Sequence, residues 1–271
     1  MKFLQSVLAF LDTSMEQPQP YGWFHLLFFA LSFLALIPLL RFPRKPTDAH
    51  IRRVVWVTAV IVTALEIYKQ INYSFSYENG IAFDYQWYAF PFQFCSTPMY
   101  VGLLAGIFRK GKVHESLCAY LATYALFAGL SVMVYPTSVF VPTIGINIQT
   151  MICHGSMITI GIYLFATGYV PLKHKTVLKA MSVFAVTVAM AAIMNEIAFQ
   201  AGLLERETFN MFFISPYCEP SLPVYSLVQD VVPFPLSLVI YVLGFTAAAE
   251  IVLLIGMAVS AVTKKKQKIL A

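Results

Sequence analysis

Seven runs of apolar residues, at roughly 22–40, 51–72, 88–108, 113–135, 144–169, 176–202 and 231–262, constrain this chain more than any other feature. A hydrocarbon core about 30 Å thick is crossed by about 20 helical residues, and each run is of that order. The runs lack the alternation of a barrel strand, and an open strand in lipid would leave its backbone groups unpaired. They predict an all-α polytopic membrane protein, a bundle of seven transmembrane helices. Composition excludes the alternative of a soluble domain. Only 11% of the 271 residues are charged and 59% are hydrophobic, against about 25% charged in soluble domains. The abundance of mixed Leu, Ile, Val and Phe also excludes disorder.

The few charges sort by loop. Arg41, Arg44, Lys45, Arg52 and Arg53 lie between the first two runs; Arg109, Lys110 and Lys112 between the third and fourth; Lys173, Lys175 and Lys179 between the fifth and sixth; Lys264, Lys265, Lys266 and Lys268 after the seventh. A seven-span chain puts all of them on one side. The other side holds Asp12, Glu16, Glu78, Asp84, Glu205, Glu207, Glu219 and Asp230, with only Lys2 and Arg206 basic. The positive-inside rule makes the basic side cytoplasmic, with the N-terminus outside and the C-terminus cytoplasmic. Residues 1–20 read as an interfacial segment, because the apolar stretch 3–11 is too short to span and lacks the features of a signal peptide. Residues 21–262 are the transmembrane domain and 263–271 a basic cytoplasmic tail. The aromatic-rich loops 73–87 and 203–230 suit a membrane interface or a partial lid. Four cysteines without CxxC or zinc spacing suggest no metal site, and no cofactor is expected.

Ionisable groups inside a membrane are costly and therefore informative. At 1.5 Å per residue, Glu66 lies about 9 Å below the outer end of its span and Cys95 about 10 Å into the third. Asn195 and Glu196 lie about 10–12 Å in, Gln149 about 8 Å and His154 about 15 Å. Gln93 and Lys69 are close in sequence to members of this layer. Glu250 stands apart, near the cytoplasmic face, where its side chain can snorkel. Each also has a structural reading: Glu66 and Lys69 are spaced for an ion pair on one helix face, and Gln93, Gln149 and Asn195 for bonds between helices. Cys118 and Cys153 read as small packing residues.

Together the layer has the parts of acyl chemistry. A thiol acts as nucleophile only as thiolate. Pro91 suits the first turn of the third helix, so Cys95 would lie one turn in and feel the helix N-terminal field. His154 would take the thiol proton and return it to a leaving alkoxide. Glu196, Asn195 or Glu66 would orient the imidazole, and Gln93 or free helix amides would hold an oxyanion. The depth points to the ester of a phospholipid in the outer leaflet.

The stretch Phe90-Pro91-Phe92-Gln93-Phe94-Cys95, followed some sixty residues later by His154, resembles the YwaF-like family of polytopic membrane proteins. Phe209-Asn210-Met211-Phe212, Pro220, and Val232-Pro233-Phe234-Pro235 are similar to that family's C-terminal part. The family's eukaryotic relatives include a Cys-dependent acyltransferase that forms polyunsaturated ether phospholipids. More distant in similarity are the androgen-induced membrane hydrolases, which cleave lipid esters with Thr and His. The resemblance implies a thioester mechanism: Cys95 accepts a fatty acyl group from a donor phospholipid, His154 is its base, and a lysophospholipid is the acceptor.

The reading is thus a phospholipid acyltransferase or transacylase, with lipid and bilayer as partners and no nucleic acid. Lipid ester hydrolysis by the same pair stays open. So does a transporter using Glu66, Lys69, His154 and Glu196, although the nearly bare inner halves of the spans argue against a continuous path. A seven-helix receptor or assembly factor ranks last, since the short loops leave no soluble domain for signalling.

Overall fold

Proline divides two of the apolar runs where hydropathy shows no division. The first run folds as α1's successors, after the amphipathic α1 (Lys2–Leu11): α2 (Trp23–Leu34), a one-residue break at Ala35, and α3 (Leu36–Arg41). Pro38 lacks the N–H that would continue the ladder across that break. The third run holds Pro91 and Pro98 and yields only α5 (Thr97–Ile107), preceded by a 3₁₀ turn at Trp87–Ala89 and irregular backbone through Ser96. Eleven residues span about 16 Å, too short to cross a bilayer alone. The expected helix over 88–108 is thus replaced by a broken segment.

The computed structural model describes residues 2–270 apart from 79, 137–138, 206–208, 220, 223 and 230, and apart from the side chains at 205, 264 and 266–270. Arg206, Glu207, Pro220 and Asp230, and the side chains of Glu205, Lys264, Lys266 and Lys268, therefore lie outside the described residues. Among the described residues, six helices are long and apolar enough to cross a membrane. They are Trp23–Arg41; α4 (Asp48–Asn72); α6 (Gly111–Tyr120) continued through a π-helical turn at Leu121–Ala125 into α7 (Leu126–Val134); α8 (Ile144–Ala166); α9 (His174–Gln200); and Phe234–Thr263 of α11 (Phe234–Leu270). A short α10 (Ser226–Gln229) precedes the last. Thr47 caps α4 by accepting the His50 N–H at 3.2 Å, and Asp48 follows in the first turn, where a carboxylate complements the helix dipole. The α11 helix runs unbroken through the basic tail to Leu270.

The helix α8 is the central post, packing against α2, α3, α4, α7 and the π-helical turn. Lipid supplies no hydrophobic drive between helices, so close fit must hold them together. Gly129 on α7 shows how close: a Cβ there would sit 2.7 Å from the His154 carbonyl oxygen. Outward faces stay apolar, with Ile61, Val186, Ile193 and Leu254 exposed. At the end opposite the basic loops, the N-terminal segment knits two loops together. Asp12 accepts from Tyr77 and Thr143, each at 2.9 Å, and Ser14 bridges to Thr143. Tyr77 belongs to a loop whose strands β1 (Phe75–Ser76) and β2 (Ala82–Phe83) pair antiparallel.

Candidate functional site

The broken segment before α5 presents Cys95 on a turn. The Gln93 carbonyl accepts from the amides of Ser96 at 2.8 Å and Thr97 at 3.2 Å, and Thr97 Oγ1 donates to the Phe94 carbonyl at 2.8 Å. Pro98 occupies the first turn of α5. Cys95 therefore stands two residues ahead of the helix, not one turn inside it. It lies off the end whose free N–H groups carry partial positive charge. Thr97 Oγ1 also meets Tyr120 Oη at 2.6 Å, tying the turn to the π-helical region of the neighbouring span.

Opposite the turn, α8 supplies Cys153 and His154. The Cys153 thiol donates to the Cys95 carbonyl at 3.7 Å. Cys95 and Cys153 line one small cavity with Ala59, Pro98, Met99 and Gly102, of about 30 Å³. That volume holds about one water. His154 is buried, and its Nδ1 lies 2.7 Å from the Thr150 carbonyl. A carbonyl only accepts, so Nδ1 carries the proton and Nε2 keeps a lone pair. Among the described residues no hydrogen bond joins Cys95 to His154. The Lys69 ammonium interacts electrostatically with both.

Glu66, Lys69 and Gln149 meet as one node. Buried Glu66 pairs with Lys69 Nζ at 2.7 Å and accepts from Gln70 at 2.8 Å and Gln149 at 3.1 Å. Gln70 carries the network into the loop before Cys95 by donating to the Ala89 carbonyl at 2.8 Å and accepting from Tyr85 Oη at 2.5 Å. Burial, reinforced by the Glu66 charge, pushes the Tyr85 phenol up to about 12. It remains a neutral donor at physiological pH.

The other polar residues predicted for the layer do something else. Gln93 is engaged with the loop after α9: its amide donates to the Asn210 carbonyl at 3.0 Å and accepts the Phe212 N–H at 2.9 Å. Asn195 grips the intervening residue, donating to Met211 O at 3.0 Å and accepting Met211 N–H at 2.7 Å. Glu196 lies on the exposed side of α9 with Gln200 and Tyr217. None of Glu66, Asn195 and Glu196 bonds to His154; the Thr150 carbonyl orients it, an intrahelical partner four residues back.

What Gln93 and Asn195 hold was not foreseen. Part of the loop expected at the interface, residues 209–215, folds into the bundle, with Met211, Phe212, Ile214 and Ser215 fully buried. Phe212 and Phe213 have φ of 58° and 56°, a left-handed conformation that bulky residues avoid at a cost of order 1–3 kcal/mol each. Tyr241 Oη donates to Phe212 O at 2.9 Å, and Phe212 packs on Phe92, Phe94 and Phe184. Irregular backbone at membrane depth is tolerated where protein satisfies it, and these side chains do so.

A hydrogen-bonded thiol and imidazole do occur, at the basic end. Cys118 Sγ lies 3.5 Å from His114 Nε2; that nitrogen also meets Tyr169 Oη at 2.7 Å, while Nδ1 meets the Ala105 carbonyl at 3.0 Å. The i, i+4 spacing of His114 and Cys118 was the available signal.

The sequence profile of the TMEM164 family matches residues 15–259. No curated protein and no solved structure matches the chain.

Proposed function

The chain belongs to the TMEM164 family, a family of membrane proteins, and is a multi-pass integral membrane protein; from that premise we propose that it is a phospholipid acyltransferase in which Cys95 carries the acyl group and His154 moves the proton. The observation that carries this reading is the contact of the Cys95 turn with Cys153 of α8, whose next residue is the buried His154. His154 Nε2 takes the thiol proton, and the thiolate attacks the ester carbonyl of a donor phospholipid. The C–S bond forms and the C–O bond breaks. The proton passes from Nε2 to the leaving alkoxide, releasing a lysophospholipid. An acceptor hydroxyl then gives its proton to Nε2 and attacks the thioester, restoring the thiol. The amide of Phe94 donates to no acceptor among the described residues, which leaves it for the oxyanion.

In this reading the chain crosses the membrane seven times, with the basic end cytoplasmic, and the broken segment with α5 makes the third crossing. The links of Asp12 to Tyr77 and Thr143 support it, since they gather the N-terminus and the loops flanking crossings three and four at one end. An acyl chain exceeds the cavity beside Cys95, so the acyl-enzyme requires α4 and α5 to part where Gly102 meets Ala59.

The test is transfer from a phospholipid to a labelled lysophospholipid by purified protein. Cys95→Ala abolishes transfer in this account; transfer retained in that variant overturns it. One observation favours a second reading, lipid ester hydrolysis: the cavity touching Cys95 accommodates a water. Free fatty acid released without acylated product would select it.

A further inference from the structure

The short α5 leaves one face of α9 without a protein neighbour along much of its length. Between α5, α6 and α9 lies a groove of about 710 Å³, walled by Phe90, Leu104, Val186, Met190 and Met194. It faces outward, with Leu104 41%, Val186 59% and Met190 42% exposed. From Ser182 to Met194 the α9 wall runs twelve residues, about 18 Å, the length scale of one extended acyl chain. Its upper end is Phe90 and Phe92, part of the segment that presents Cys95.

The end near the basic loops differs in chemistry. Lys112, Ser116 and Ser182 line it. Neighbouring Lys179 is paired with Glu115, whereas Lys112 has no ion pair or hydrogen bond among the described residues. Lys112 stands in the first turn of α6, and exposed Arg109 and Lys110 lie in the loop just before it. An apolar slot of acyl length, open to the bilayer and headed by an unpaired ammonium at the membrane surface, matches a lipid with an anionic headgroup.

We propose that this groove binds one anionic glycerophospholipid from the leaflet at the basic end, its phosphate on Lys112 and Ser116 and one acyl chain along α9 up to Phe90. The phosphate then lies about 16 Å, the length of α5, from the Cys95 turn. The bound lipid is therefore distinct from the reacting one. It completes the packing that α5 is too short to provide, and supports the turn from beneath.

The test uses the full chain purified in detergent and offered equimolar phosphatidylglycerol and phosphatidylcholine, with retained lipid read by native mass spectrometry. Wild type should retain phosphatidylglycerol about fivefold over phosphatidylcholine, the preference one surface lysine supplies. Lys112→Gln should abolish the preference while still retaining lipid. Val186→Trp, which fills the slot, should abolish retention of both. Both side chains are exposed, and a single size-exclusion peak confirms each variant is folded; Leu104→Trp replaces Val186→Trp if it is not. Equal retention of the two lipids by wild type, or unchanged phosphatidylglycerol retention in the slot-filling variant, overturns the proposal. Neither readout depends on acyl transfer, so this site and the proposed reaction fail separately.

Discussion

The side chain of Gln93 accepts the backbone N–H of Phe212 at 2.9 Å, joining two irregular stretches within the helical bundle. One stretch presents Cys95 and the other is the buried loop at 209–215. Their union fixes the turn, because the carbonyl of the same Gln93 anchors the amides of Ser96 and Thr97.

Replacing Gln93 with Ala leaves the Phe212 N–H buried without a partner and takes one of two donors from the Asn210 carbonyl, which keeps the Phe213 N–H at 3.3 Å. A buried group left without a partner costs about 1–3 kcal/mol. The expected outcome is a marked fall in thermal unfolding temperature in detergent, accompanied by loss of transfer. Loss of transfer with the unfolding temperature unchanged would return Gln93 to the role of oxyanion donor.

Glu66 and Lys69 should behave as a unit. Lys69→Met strands the buried Glu66 carboxylate, which typically destabilises by about 3–5 kcal/mol, whereas Glu66→Gln leaves the partly exposed Lys69 ammonium unpaired at a smaller cost. The double variant should recover much of that loss, and a double-mutant cycle on unfolding free energies measures the coupling. Additive effects of the two substitutions would contradict the pairing seen at 2.7 Å.

Gly129 sets how α7 lies on α8 beside His154. A Cβ would come within 2.7 Å of the His154 carbonyl and 2.8 Å of Met157 Cβ. Gly129→Ala should therefore push the helices apart and cost about 1–3 kcal/mol, measurable as a lower unfolding midpoint, with His154 displaced from Cys95 and transfer reduced. A Gly129→Ala protein as stable and active as wild type would show that α8 has freedom the structure does not indicate.

Glu196 should be dispensable. Its carboxylate is held by Gln200 and Tyr217 on an exposed face, and surface substitutions away from special features change stability by less than about 0.5 kcal/mol. Glu196→Gln should leave both unfolding temperature and transfer at wild-type levels. A tenfold fall in transfer would restore Glu196 to the site.

Much of the framework was readable because apolar runs of spanning length report helices directly. The Glu66–Lys69 pair was readable too, from its three-residue spacing. The third run misled because Phe90, Phe92 and Phe94 score as membrane helix while Pro91 and Pro98 break the backbone around Cys95. Gln93 and Asn195 are legible as intramembrane amides that bond to neighbours, but their partners in the 210–212 backbone are not. Gln93 bonds across 117 residues or more of chain, and one sequence contains no signal for such a pairing. The left-handed backbone at Phe212 and Phe213 was hidden for a related reason: bulky residues avoid it unless the surrounding structure imposes it. His154 was picked out by its burial cost, yet its orienting partner is a backbone carbonyl, which no residue type announces.

The most direct measurement of the central claim is intact-protein mass spectrometry after brief exposure of the purified protein to phospholipid without acceptor. The account predicts a mass increase of one acyl group, removed by neutral hydroxylamine, located on Cys95 by peptide mapping and absent from Cys95→Ala. An acyl adduct on Cys118 or Cys153 instead, or transfer activity with no adduct on Cys95 at any time, would contradict it.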